Sequence, residues 1–224
     1  MILVTGGAGY IGSHTVVELL GIGEDVLIVD DFSNSSIEVL DRIEAIAGKR
    51  PSFVELDVSD KTGLERVFQN HPHITGVIHF AAKKAVGESV KNPLMYYRTN
   101  LVSMMNLLEV MQSEGVKDLV FSSSCSVYGE PDHTKVTEQT PIKVANSPYG
   151  NTKQVCEEII HDTAHVTDLK AICLRYFNPT GAHDSANIGE LPIGVPSNLI
   201  PFITQTGIGM REELTVHGGD YETI

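Results

Sequence analysis

Six short runs constrain the fold more than any other feature of this chain: ILVT (2–5), DVLIVD (25–30), SFVEL (52–56), GVIHF (76–80), DLVFSS (118–123) and KAICLRY (170–176). Each is apolar almost without interruption, the pattern of strands covered by helices on both faces. Helical patterns lie between them, near residues 11–22, 36–47, 60–70, 93–114 and 149–163. Alternation of this kind predicts an α/β fold with a doubly wound parallel sheet over residues 1–176. After Tyr176 the stretch FNPTGAHDSANIGELPIGVPSN is rich in Gly, Pro and Asn and loses its periodicity. A helix over NLIPFITQTGIG and a short strand, LTVHG, follow, so residues 177–224 read as the beginning of a smaller substrate-binding domain.

The first strand runs directly into VTGGAGYIGSH, whose glycines at 6, 9 and 12 form a G-x-x-G-x-x-G loop that opens a helix. Glycine permits the tight turn and the close approach of backbone to a diphosphate. The helix beyond offers unpaired N–H groups and the positive end of its dipole. Strand before and helix after make this a Rossmann-type dinucleotide site, with Gly6, Gly9, Tyr10, Ile11 and Gly12 as the cradle.

The second strand ends in Asp30, 18 residues past Gly12, close to the spacing of a carboxylate that binds the adenosine ribose diol. Asp31, Asn34 and Ser35 follow in the same turn, and no Arg or Lys appears before Arg42. A 2′-phosphate would therefore meet two carboxylates, which favours NAD over NADP. Asp57 and Val58 close the third strand on the adenine side, while Asp60 suits a helix N-cap. Beyond the fourth strand, Phe80, Ala81 and Ala82 let a ligand approach the sheet edge, and either Lys83 or Lys84 reaches a ribose or phosphate. Asn100 is a candidate polar contact on the nicotinamide side.

Tyr149 and Lys153 stand four residues apart in a helix and so share a face. The fifth strand ends in FSSSCSVYG, bringing Ser122 and Ser124 to the same edge. A free phenol has a pKa near 10 and is a poor base at neutral pH. Lowering it to ~7 needs roughly 4 kcal/mol of differential stabilisation, which a neighbouring ammonium and a cationic nicotinamide ring in a dry cleft can supply. A phenolate so placed takes a proton from an alcohol whose carbon gives up hydride.

Composition limits the alternatives. The net charge of −13 excludes nucleic-acid binding through a general basic surface. It also requires an anionic ligand to be held by local dipoles and a few placed cations. The nine histidines are scattered with no HExxH pattern, so no metal site is expected. Cys125, Cys156 and Cys173 are odd in number and widely spaced, the usage of a cytoplasmic protein with reduced thiols. Neither a membrane span nor a signal peptide is expected.

VTGGAGYIGSH, VIHFAAKKAVGESV, FSSSCSVYG, SPYGNTK and LRYFNPTGAH, in this order, resemble the extended short-chain dehydrogenase/reductase family. Within it, KAVGESV and RYFNPTGAH are similar to the branch that inverts C4 of UDP-hexoses. The resemblance implies a redox-neutral interconversion of UDP-glucose and UDP-galactose through a transient 4-keto sugar, with NAD retained. It implies Tyr149 as base, Lys153 as its electrostatic partner and ribose ligand, and Ser124 as the hydroxyl on the sugar. Tyr176 and Phe177 would flank the nicotinamide. Lys84, Asn178, Asn198, Leu199, Thr215 and His217 would contact the UDP-sugar. Relatives that eliminate water carry an Asp–Glu pair where Cys125 and Ser126 stand, which disfavours dehydration. Thr99 departs from the Asn of many relatives. Members of the family continue past the GGDYETI that ends this sequence. The substrate half is therefore expected to be partial, and a homodimer through helices 93–114 and 149–163 is implied. Three other readings fit the same residues: a non-catalytic NAD-binding module or fragment, a related 4-epimerase acting on N-acetylated or uronic nucleotide sugars, and a nucleotide-sugar oxidoreductase with net redox turnover.

Overall fold

The computed structural model describes residues 1–133, 135–196, 198–216 and 218–219. Six strands form one sheet: β1 (Ile2–Thr5), β2 (Val26–Asp30), β3 (Ser52–Glu55), β4 (Gly76–His79), β5 (Asp118–Ser124) and β6 (Lys170–Tyr176). All pairings are parallel and the order is β3-β2-β1-β4-β5-β6. The chain winds outward one way from β1, then returns to place β4 on its other side. The carboxyl ends of β1 and β4 therefore diverge into a crevice, where ligands bind in sheets of this kind.

Two apolar layers sandwich the sheet because neighbouring strand residues point to opposite faces. Leu3, Leu27, Val77, Leu119 and Phe121 face α3 (Lys61–Asn70), α5 (Pro93–Ser113) and α6 (Pro148–Val166), meeting Leu64, Phe68, Met104, Leu107, Cys156 and Ile160. Val4 and Ile28 face the other way, toward α1 (Tyr10–Gly21) and α2 (Glu38–Ala47), meeting Val16, Leu20, Leu40 and Ile43. Each such side chain, fully buried, contributes about 1.5–3 kcal/mol. Asp60 caps α3 by accepting from Gly63 N at 3.1 Å, and Ser147 caps α6 by accepting from Gly150 N at 3.1 Å.

Three sequence expectations need correction. The edge strands are not covered on both faces: Phe53 of β3 is 38% exposed, and Ile172 and Leu174 of β6 are 61% and 37% exposed. The motif KAVGESV contains a further short helix, α4 (Val86–Lys91), too short to show periodicity. No strand forms over residues 214–216, and His217 lies outside the described residues. A last helix, α7, spans Leu199–Gly207. The segment after β6 is anchored by Ile188, buried in the layer of Val4, Val16 and Leu40.

Candidate active site

The glycine loop sits at the β1/β4 crevice because no side chain would fit there. Gly6 has φ +68°, and a Cβ on it would lie 2.7 Å from the Ala81 amide nitrogen. A Cβ on Gly12 would lie 2.2 Å from the Gly6 carbonyl oxygen. The loop is thus pressed against both β4 and the first turn of α1. Gly9 caps α1 without any side-chain hydrogen bond, and the first turn carries no acidic residue. The N–H groups of that turn are left for an anion.

Asp30 is buried at the end of β2. Its carboxylate accepts from Ala8 N (3.0 Å), Phe32 N (3.0 Å) and Ser35 Oγ (2.9 Å). Burial pushes its pKa up, opposed by those three bonds. A carboxylate offers about four acceptor sites, so one remains for a diol. Asp31 is exposed and closes its own turn through Ser33 N at 2.9 Å. Asn34 and Asp57 are exposed, Asp57 accepting from Ser59 N at 2.8 Å, while Val58 is buried in the core.

Past β4, Phe80, Ala81 and Ala82 are half-buried at the crevice. The Asn100 side chain is turned toward protein. It accepts from Lys83 N (2.9 Å) and donates to the Lys83 carbonyl (3.0 Å) and to Thr152 Oγ1 (3.0 Å). It ties the loop after β4 to α5 and α6, a job that neither pattern nor spacing reveals. The Lys84 ammonium projects to Glu190 at 3.8 Å, and Glu190 also accepts from Asn198 Nδ2 at 2.5 Å. The Tyr10 hydroxyl donates to the Gly181 carbonyl at 2.7 Å, so the segment after β6 lies over the glycine loop.

Helix α6 carries the chemistry. The Lys153 ammonium is buried, donates to the Ser122 carbonyl at 2.7 Å, and stands 4.7 Å from the Phe121 ring centre and 5.9 Å from that of Tyr149. Burial lowers its pKa to about 8, so it remains a cation at neutral pH. Burial raises the Tyr149 phenol, the Ser124 hydroxyl alongside pulls it down, and Cys125 adds a smaller upward push. Ser124 Oγ is oriented by accepting from Ser126 N (3.2 Å) and Ser126 Oγ (2.9 Å). In the chain alone the phenol is therefore a weak base, and a further cation is needed to ionise it at neutral pH.

Tyr176 ends β6 opposite Ser124, half-buried, with its phenol pushed up by burial. Phe177 is 60% exposed, and Asn178, Leu199 and Thr215 also face solvent. The structure thus gathers the glycine loop, Asp30, Ala81, Ser122, Ser124, Tyr149 and Lys153 at one sheet edge. It leaves the residues expected on the sugar-nucleotide side more open. Among the described residues, no cluster of three His, Cys, Asp or Glu side chains could hold a metal ion, and no helix is long and apolar enough to cross a membrane.

Known proteins are similar to this chain in sequence and fold. The chain is 52% identical over 227 residues to UDP-glucose 4-epimerase 2 of Arabidopsis thaliana, covering 99% of this chain and 64% of the relative. A crystal structure of UDP-glucose 4-epimerase from Stenotrophomonas maltophila, with bound NAD and formylated UDP-arabinopyranose, superposes with a TM-score of 0.95 at 50% identity. It is covered over 66% of its length, against 99% of this chain. The Bifidobacterium longum enzyme in complex with NAD+ and UDP gives the same TM-score at 47% identity, again with 99% and 66% covered. The chain thus spans just under two thirds of the length of these relatives. Residues 2–218 match the NAD dependent epimerase/dehydratase family, and the chain belongs to that family.

Proposed function

We propose that the protein, or the longer protein of which this chain is part, interconverts UDP-glucose and UDP-galactose by inverting C4 through a transient 4-keto sugar, using NAD. The observation that carries the reading is the convergence of Ser124, Tyr149 and Lys153 beside an uncapped helix N-terminus. The cradle fits a dinucleotide because Gly6 and Gly12 admit no side chain and the α1 amides are unspent. When bound there, NAD would supply hydride chemistry at C4 and a cationic ring that would favour phenolate at Tyr149.

This chain's residues do the rest. The α1 N-terminus takes the diphosphate, and Asp30, with Asp31 beside it, favours a free ribose diol over a phosphorylated one. Lys153 has two N–H groups left after Ser122 and directs them to the nicotinamide ribose and toward Tyr149. Tyr149 removes the C4 hydroxyl proton, with Ser124 orienting that hydroxyl, and gives the proton back when the sugar has presented its other face. Lys84, Asn178, Asn198, Leu199, Thr215 and His217 are proposed for the UDP-sugar side, within residues 177–224.

Exposed apolar residues on α5, among them Leu94 and Met105, support a homodimer through α5 and α6. The three free cysteines support a cytoplasmic site of action. A second reading, a cofactor-binding unit that does not turn over alone, is favoured by the solvent exposure of Phe177, Asn178 and Leu199. Incubating the chain with UDP-galactose, with and without NAD+, and following UDP-glucose by chromatography separates the two. Product without accumulating NADH, lost in Tyr149→Phe, supports the epimerase. Bound NAD+ without product supports the cofactor-binding unit, and steady accumulation of NADH would indicate net oxidation instead.

A further inference from the structure

One turn of α6 beyond Lys153, at the i+4 position, stands Glu157, its side chain largely buried. Its carboxylate accepts from Arg175 twice, Nε at 3.0 Å and Nη2 at 2.7 Å, and from Ser123 Oγ at 2.5 Å. Arg175 in turn lies 4.9 Å over the Tyr128 ring. Ser123 of β5 and Arg175 of β6 are direct partners in the sheet register. The three residues therefore rivet α6 to β5 and β6 at one height. The same helix face carries Tyr149, Lys153 and Glu157 in succession. The adjoining β5 residues, Ser122 and Ser124, are the ones that meet Lys153 and Tyr149.

We infer that Glu157, Arg175 and Ser123 are positioning residues for the Tyr149–Lys153 pair. The bidentate ion pair fixes how far along β5 the helix sits. That setting determines whether the ammonium reaches both the Ser122 carbonyl and the neighbourhood of the phenol. A planar fork is needed for this, because two parallel N–H···O bonds hold direction as well as distance, which an ammonium cannot do. Glu157 touches neither substrate nor cofactor in this scheme. The inference rests on the proposed role of Tyr149 as base and deepens it.

Charge and geometry predict opposite effects, which makes the test sharp. Removing the Glu157 charge without moving anything would lower the Tyr149 pKa, since one anion fewer opposes phenolate. Loosening Lys153 would raise it. Arg175→Lys keeps the charge and removes the fork, so any movement of Tyr149 in that variant is geometric.

The readout is phenolate absorbance at alkaline pH, taken within milliseconds of a pH jump so that unfolding does not intervene. Each background is measured with and without Tyr149→Phe to isolate one phenol among the seven tyrosines, in a chain with no tryptophan. The expected result is a rise of the Tyr149 midpoint by at least about half a pH unit in both Arg175→Lys and Glu157→Gln, about a threefold loss of phenolate at fixed pH. Ser123→Ala, which removes one hydroxyl and keeps the ion pair, is expected to shift the midpoint the same way by about 0.3 and serves if the others do not fold. A midpoint unmoved, or lowered, in the folded variants overturns the inference. Where wild-type turnover is present, Arg175→Lys is expected to lower kcat about tenfold at nearly constant KM. If the wild-type chain binds NAD+ without turnover, it behaves as the cofactor-binding unit, and the phenol titration still reports on the positioning network.

Discussion

Gly12→Ala should unseat the whole glycine loop, because the added side chain would meet only backbone. The added Cβ would stand 2.2 Å from the Gly6 carbonyl oxygen, 2.8 Å from Gly7 Cα and 3.0 Å from the Gly6 carbonyl carbon. A carbon rests about 3.3 Å or more from a carbonyl oxygen, so the loop must retreat by about 1 Å. No flexible side chain can absorb this, because all three obstructing atoms are backbone. The Gly6 carbonyl also accepts from Gly9 N at 3.1 Å, and Gly6 is pressed against Ala81, so the retreat disturbs the turn and the β4 edge together. Overpacking of this kind costs about 1–3 kcal/mol, and the backbone obstruction puts this site at the upper end. At about 2–4 °C per kcal/mol for a chain of this size, Tm should fall by roughly 4–12 °C. Calorimetric melting and NAD+ titration are the assays, with cofactor affinity expected to fall by more than about tenfold. Gly21→Ala is the control: it lies in the same helix with nothing within 4 Å of its Cβ, and should be neutral or stabilising by up to about 1 kcal/mol. A Gly12→Ala chain that melts with the wild type would show instead that the crowding is relieved at no cost.

Other outcomes follow from buried titratable groups. His79 is buried in the sheet, bonded through Nδ1 to Thr5 Oγ1 at 2.7 Å, and burial lowers its pKa to about 3, with the Lys153 charge adding to the effect. Because the folded pKa lies below the unfolded value, its contribution to stability is present above pH ~6.5 and is lost as pH falls toward 3, by up to about 1.4 kcal/mol per pH unit. Its ring NMR signals should stay fixed between pH 7 and 5; a His79 midpoint above 6 would contradict this. Asp30→Ala removes the acceptor of Ala8 N, Phe32 N and Ser35 Oγ and should cost roughly 2–4 kcal/mol in denaturant unfolding, besides weakening NAD+ binding. Burial raises the Cys156 and Cys173 thiols to about 11, so both should resist iodoacetamide at pH 7.5, as mass spectrometry of alkylated peptides can check.

The doubly wound sheet was legible because its central strands are apolar on both faces, and that pattern survives in a linear reading. Every residue of β2 is buried. The edges were not legible for the converse reason. KAICLRY reads like a central strand, yet it lies at the end of the order, and Ile172 and Leu174 face outward on one side. Strand order is set by how distant segments pair, and the apolar run itself is the same in either position. Residues 177–198 hid their anchor similarly. Ile188 holds that segment to the core from among glycines, asparagines and prolines, and isolated buried residues such as Ile188 and Pro196 produce no period.

The site divides along the same line. Contacts set by local geometry could be read directly: glycines at fixed offsets, Tyr149 and Lys153 on one helical face, Asp60 at a cap. Contacts that join distant segments could not. Asp30 illustrates why the distinction has consequences. Its spacing from the glycine loop suggests a ribose ligand, but its carboxylate is already bonded to Ala8 within that loop and to Phe32 and Ser35 beyond β2. About one acceptor site is left, so a ribose that bonds Asp30 would engage a group that also holds the diphosphate cradle in shape. Asn100 repeats the pattern on the other side of the crevice, spending its amide on the Lys83 backbone and Thr152 and so fixing the loop that leads to Lys84. Both residues brace the loops around the crevice. Replacing either should therefore lower stability, whereas replacing Tyr149, whose phenol lies beside Ser124 and Lys153 at the crevice, should lower the proposed turnover far more than stability.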